Sequence, residues 1–209
     1  MSLSVTTKPR VTLHSSARIE RLFSVLEARR TVGAHRLRLT HLLARVSAHA
    51  FATKPTLNGW VQDEVITLSA VVNLGLAVQT ERVLVTPVLP EANRLPFEEF
   101  VIRLEDLIDR ARRGKLHPRE LMNATFTLSN LGASRVRHFT PIVSPPQLAI
   151  LGVGRAEVVP LWDGSTWQPI REVPLSLTFD HAAIDGQPAA AFLDDLLAMI
   201  EDPSDALWQ

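Results

Sequence analysis

The chain has 209 residues, 46% apolar and 21% charged, and its 22 basic and 22 acidic side chains cancel. Balanced charge gives no general affinity for nucleic acid or for an acidic membrane surface. The absence of cysteine excludes a disulfide framework, a thiolate-bound metal and a cysteine nucleophile. No apolar run reaches bilayer length and the first ten residues lack a secretory core, so a cytoplasmic protein is expected.

In chain order, Val11–His14 reads as a short strand. Ser15 or Ser16 can cap a helix whose apolar face is Ile19, Leu22, Phe23 and Leu26, fading at Arg29 and Arg30 before Thr31-Val32-Gly33. Thr40 can cap a second helix through Leu42, Leu43, Val46, Ala50 and Phe51, which stops before Pro55. Val65–Leu68, Val71–Val78 and Val83–Leu89 are β-rich, the last two dense enough to predict burial on both faces. Pro96 opens the longest helix, carrying Phe97, Phe100, Val101, Leu104, Ile108 and Ala111, and Gly114 closes it. A short turn at Pro118–Met122 precedes strands at Thr125–Ser129 and Leu148–Val153, joined by a loop with Pro141, Pro145 and Pro146. Trp162-Asp163-Gly164 predicts a hairpin turn. Arginines gather at 29, 30, 36 and 38 and at 110, 112 and 113; with acidic neighbours, they read as solvated faces or helix ends.

The stretch richest in chemistry is Thr178–Gly186. Leu175, Leu177 and Phe179 alternate with Ser176 and Thr178, so Pro174–Asp180 predicts a half-buried strand ending at His181. Asp185 and Gly186 follow, and then a helix with Ala189, Phe192, Leu193, Leu196, Leu197 and Ile200 on one side. A histidine between rigid elements is well placed to take a proton from a thiol or hydroxyl. Asp185 can hold its loop, and Gly186 permits a tight turn. Equally, a strand-end histidine can be purely structural, because HxxxDG is a short motif. A His181/Asp185 metal pair is weaker still, lacking a third ligand nearby. Ser129, at the end of the 125–129 strand, can donate its hydroxyl to a developing oxyanion or merely satisfy its own turn. No G-x-S-x-G surrounds it, so a nucleophile elbow is not supported.

Read together, Phe126–Gly132 (FTLSNLG), Phe139–Gln147 (FTPIVSPPQ), Ala149–Gly154 (AILGVG) and Asp180–Gly186 (DHAAIDG) resemble the catalytic domain of the 2-oxoacid dehydrogenase dihydrolipoyl acyltransferases, relatives of chloramphenicol acetyltransferase. Thr7–Leu13, Pro55–Asn58, Leu76–Val88 and Gly114–Pro118 look similar too, so the resemblance covers nearly the whole chain. It implies an α/β domain over residues 1–209, with a central mixed β-sheet flanked by helices. It also implies acetyl-CoA or coenzyme A as co-substrate, no metal, His181 as general base, Ser129 as oxyanion donor and Asp185 as the support of the histidine loop. In the family, neighbours in a trimer supply the histidine and the serine, and an apolar tail often builds larger cages. Here Leu207 and Trp208 can dock into a neighbour or fold back onto their own helix.

Three departures shape the expected acceptor. Ala182 stands where the family usually has arginine after Asp-His, no lipoyl or subunit-binding segment lies in these residues, and the first family helix is not evident. They favour a free-standing acetyltransferase acting on a small-molecule hydroxyl, such as a tetronate primary alcohol in natural-product biosynthesis. The alternatives are a dihydrolipoamide acyltransferase core and a non-catalytic scaffold. Peptide-synthetase condensation domains share HxxxDG, but as two fused copies with a second histidine where this chain has Asp180.

Overall fold

The computed structural model describes residues 9–31 and 37–209. Its strands are β1 (Arg10–Arg18), β2 (Gly59–Gln62), β3 (Val65–Leu68), β4 (Leu74–Gln79), β5 (Leu84–Val85), β6 (Val88–Leu89), β7 (Phe126–Asn130), β8 (Ala149–Val153), β9 (Glu157–Trp162) and β10 (Trp167–Asp180). The α-helices are α1 (Glu20–Thr31), α2 (Leu39–Thr53), α3 (Phe97–Arg112) and α4 (Gly186–Glu201). Among the described residues, one mixed sheet of eight strands runs β1-β10-β8-β7-β4-β5, with β6 on β4 and β9 on β10; β2 and β3 form a separate hairpin. The β4–β7 and β7–β8 pairs are parallel, whereas β8–β10 and β10–β1 are antiparallel.

Period-2 alternation gives the sheet one apolar and one polar face. Leu177, Leu151, Leu128 and Leu76 align in register across four strands, and all four are buried. Helices α2 and α4 cover this face: Phe51 stacks on Phe126 at 3.9 Å and meets Phe192 at 4.5 Å. Each large side chain buried there contributes about 1.5–3 kcal/mol of transfer free energy. One residue out of phase, Thr178, Ile150, Thr127 and Gly75 align on the polar face, as do Ser176, Gly152, Ser129 and Ala77. Its hydroxyls find partners: Thr12 with Thr178 at 2.8 Å, and Thr127 donating to Gln147 Oε1 at 2.7 Å.

The loop between β7 and β8 lies on the polar face because two glycines let it approach. A Cβ on Gly152 would stand 2.8 Å from the Phe139 ring, and one on Gly154 only 1.8 Å from the Arg137 carbonyl oxygen. Backbone meets backbone there, so a side chain at 154 would force the loop to shift.

Several elements differ from expectation. Ser15 and Ser16 do not cap a helix; they belong to β1, opposite Leu175 and Pro174, and α1 begins at Glu20. Pairing along β10 outweighs their capping tendency. Thr40 is not the cap of α2 either: Arg38 holds that position, and His41 Nδ1 accepts the Arg38 amide at 2.9 Å. Val83–Leu89 divides into β5 and β6, since Pro87 offers no amide for a ladder, and Val83 and Leu84 are exposed. Strand β2 was not anticipated. Val32, Gly33 and Arg36 lie outside the described residues.

The C-terminal turn, Asp205–Trp208, seats on α2 and α3 of its own chain. Leu207 and Trp208 are buried, with the Trp208 ring edge-on to Phe97 at 5.3 Å. The buried guanidinium of Arg45 donates to the Leu207 carbonyl at 3.0 Å, and Arg29 donates to that of Trp208 at 2.5 Å.

Candidate active site

Strand β10 delivers His181 to the end of the sheet, and the turn after it is organised by Asp180. The Asp180 carbonyl accepts from Ala183 at 3.1 Å and Ile184 at 3.0 Å, and its carboxylate accepts from Ala182 at 3.1 Å. His181 donates its amide to the Pro9 carbonyl at 2.8 Å, and Ile184 buries its side chain beneath the loop. The His181 imidazole is exposed, lies 5.6 Å from the Phe179 ring, and makes no hydrogen bond or ion pair among the described residues. Asp185 is the N-cap of α4 by backbone geometry, yet its carboxylate makes no capping bond. The loop bonds expected of Asp185 are thus made by Asp180. Nor does Gly186 form a tight turn, being the first residue of α4.

Ser129 occupies the other end. It is the penultimate residue of β7, between Ala77 of β4 and Gly152 of β8. It is half-buried, and its hydroxyl has no partner among the described residues. Register fixes its relation to His181. Ser129 is level with Gly152, Gly152 is level with Ser176, and His181 follows five positions along β10. At ~3.3 Å per residue and ~4.8 Å per strand, the two residues stand roughly 19 Å apart. They cannot act on one carbonyl carbon within a single chain.

A cavity of about 550 Å³ opens at the Ser129 end of the sheet but on its helix-covered face, lined among others by Arg38, His41, Gln79, Arg112, Asn130 and Gly154. Its wall carries the Arg38 and Arg112 guanidinium groups together with the Glu105 carboxylate, and its volume suits a small-molecule site. Within the wall, His41 Nε2 is 2.7 Å from Glu105 Oε1, both side chains being buried. Burial pushes the His41 pKa below its usual value, against the opposing pull of Glu105. Neutral His41 keeps Nδ1 unprotonated, as accepting the Arg38 amide requires.

The sequence matches the family of 2-oxoacid dehydrogenases acyltransferase (catalytic domain) over residues 1–208. The chain belongs to this family. The dihydrolipoyllysine-residue acetyltransferase component of the acetoin cleaving system of Bacillus subtilis (strain 168) is 40% identical over 169 residues, 81% of this chain and 42% of that protein. The chain therefore spans less than half the length of that relative. Among solved structures, Azotobacter vinelandii dihydrolipoamide acetyltransferase superposes with a TM-score of 0.93 at 31% identity, covering 100% of this chain and 87% of that one. That structure was determined to investigate a serine, a histidine and an asparagine in its catalytic mechanism. The cubic core of the pyruvate dehydrogenase multienzyme complex matches equally well, with a TM-score of 0.93, 31% identity and the same coverage. Chloramphenicol acetyltransferase, at 16% identity and a TM-score of 0.59, shares the fold. The mixed sheet with flanking helices is thus the fold expected.

Of the predicted site residues, the chain brings His181 and Asp185 together on one loop and sets Ser129 apart. Arg38 and Arg112 are exposed, as solvated or helix-end charges should be, with Arg112 in the last turn of α3. Arg110 is ion-paired, meeting Asp106 at 2.7 Å and Glu120 at 2.6 Å, and Arg38 lies 3.9 Å from Glu105. Arg38 and Arg112 border the cavity where α2 packs against α3, and both stay exposed. In sequence only their separate runs were visible, 74 positions apart. Among the described residues, no group of three or more histidine, cysteine, aspartate or glutamate side chains could hold a metal, and no helix is long and apolar enough to cross a membrane.

Proposed function

We propose that the chain transfers an acyl group between coenzyme A and the thiol of a dihydrolipoyl group, with His181 as base and Ser129 as oxyanion donor. The observation that carries this reading is the unpartnered Ser129 hydroxyl at the end of β7, on the polar face of the sheet. A coenzyme A thioester needs such a group, a hydrogen-bond donor where its carbonyl becomes an oxyanion.

In the acyl-accepting direction, the His181 imidazole takes the proton of the acceptor thiol. The thiolate attacks the thioester carbonyl, and the resulting oxyanion accepts a hydrogen bond from Ser129, an interaction typically worth ~3 kcal/mol. Collapse breaks the bond to the coenzyme A sulfur, which recovers the proton from the imidazolium. No acyl-enzyme forms. With roughly 19 Å between the two residues in one chain, His181 of one copy works with Ser129 of another. A homotrimer with sites between copies follows, alone or within a larger cage. The relative crystallised as a cubic core supports this assembly.

The relatives favour the dihydrolipoyl thiol over the hydroxyl acceptor expected from sequence departures. Ala182, exposed beside His181, keeps a small-molecule hydroxyl as the second reading. The test is incubation with acetyl-CoA and either dihydrolipoamide or a hydroxymethyl tetronate, with acylated product followed by mass spectrometry. Rapid acetylation of dihydrolipoamide supports the proposal. Acetylation of the tetronate alone moves the acceptor to a hydroxyl, and acetylation of neither leaves a scaffold.

A further inference from the structure

Asn130 uses both ends of its side chain. Its carbonyl oxygen accepts the Gly132 amide at 2.7 Å, closing the turn by which the chain leaves β7. Its amide nitrogen donates to Thr40 Oγ1 at 2.8 Å, in the first turn of α2. That helix start is itself immobilised. His41 accepts the Arg38 amide at 2.9 Å and is wedged against Glu105 of α3 at 2.7 Å, with only 1% of its side chain exposed. Residue 129 is consequently the last position of β7 before a side chain tied to α2 and to the turn that follows the strand.

The strand alone does not explain this arrangement. The β4–β7 register ends at the Ala77–Ser129 pair, so beyond it β7 has only β8 beside it. One neighbour leaves a strand end free to fray or twist. Asn130 supplies the missing restraint from the α2 side. The turn is also fitted to it, because a Cβ on Gly132 would stand 2.9 Å from the Asn130 carbonyl oxygen.

We infer that Asn130, anchored by Thr40, is the positioning residue that aims the Ser129 hydroxyl at the oxyanion. This rests on the role proposed above for Ser129. It assigns Asn130 no contact with the reacting atoms, although its side chain also borders the cavity. A displacement near 1 Å of a catalytic group costs up to about a hundredfold in rate, which sets the scale of the expected effect.

The test measures kcat and KM of the full chain with acetyl-CoA and dihydrolipoamide for Asn130→Ala, Thr40→Val and Thr40→Ser, each alone and combined with Ser129→Ala. Wild-type turnover comes first; without it the acyltransferase reading fails and this inference falls with it. Given turnover, Asn130→Ala is expected to lower kcat about tenfold to a hundredfold with little change in KM. Thr40→Val should follow in the same direction and Thr40→Ser should retain activity. In the Ser129→Ala background, Asn130→Ala should add almost nothing, since there is no hydroxyl left to aim. Independent, multiplying losses would overturn the inference, as would a raised KM for acetyl-CoA at unchanged kcat, which would make Asn130 a binding residue. If Asn130→Ala does not fold, the Thr40 pair decides: equal kcat values for Val and Ser would overturn it.

Discussion

Ser129 and His181 stand at opposite ends of the same three strands, and their surroundings differ in kind. Ser129 is flanked by β4 and β8, next to a side chain tied to α2, and beside a glycine on which Phe139 rests. His181 sits on an exposed turn, held through its backbone by Pro9 and through Asp180. The contrast matches the proposed division of labour. An oxyanion donor works by being in place before charge develops, so rigidity belongs at its end. A base that completes its site only when another copy arrives has one side open until then.

The largest expected effect comes from removing the base. His181→Ala should lower kcat by about a hundredfold to ten-thousandfold while the thermal midpoint hardly moves, because the lost side chain is exposed. A large drop in midpoint would instead mark a structural histidine. Ser129→Ala should cost about a hundredfold to a thousandfold in kcat. Mixing the two inactive variants sharpens the comparison further. If the ends of different copies form one site, unfolding and refolding them together should restore part of the activity through sites that pair an intact Ser129 with an intact His181. No recovery from well-folded mixed oligomers would place both residues in one chain's site and contradict the 19 Å estimate made from strand spacing.

Gly154→Ala probes the bracing at the serine end. With the Arg137 carbonyl oxygen 1.8 Å from the new Cβ, the loop must shift, at about 3 kcal/mol, or roughly 6–12 °C in midpoint for a chain of this size. The smallest effect is that of pH. Burial lowers the His41 pKa, whereas the unfolded chain binds that proton at about 6.5. Below this value the unfolded state holds more protons, so the His41 contribution is complete above about pH 6.5 and is lost as pH falls towards the folded pKa. Denaturant midpoints between pH 5 and 7.5 should show that slope, and His41→Gln should flatten it.

Much of this was legible in sequence wherever local periodicity decides structure. Leu175, Leu177 and Phe179 alternate strictly, and they define the strand that ends at His181. The apolar spacing of α3 between Pro96 and Gly114 is equally plain. Sequence was less informative where a neighbouring strand or helix decides. Ser15 and Ser16 extend β1 only because β10 is long enough to pair with them. Arg38 and Arg112 border a cavity only because α2 and α3 pack together. The distance between Ser129 and His181 is a matter of register, which no local pattern contains, although the family resemblance did imply that different copies supply the two. Asn130 looked like one more residue of a loop motif, and its tie to Thr40 spans 90 positions.

The seating of the C-terminal turn also gives the molecule an internal reporter. Of the four tryptophans, Trp162 and Trp167 are 50% and 66% exposed, Trp60 is half-buried, and Trp208 is 5% exposed beneath the guanidinium clamp of Arg29 and Arg45. In a variant with Trp162 and Trp167 replaced by phenylalanine, intrinsic fluorescence would come from Trp60 and Trp208 alone. Release of the tail would then register as a red shift and as new access to a soluble quencher, separately from any loss of the sheet.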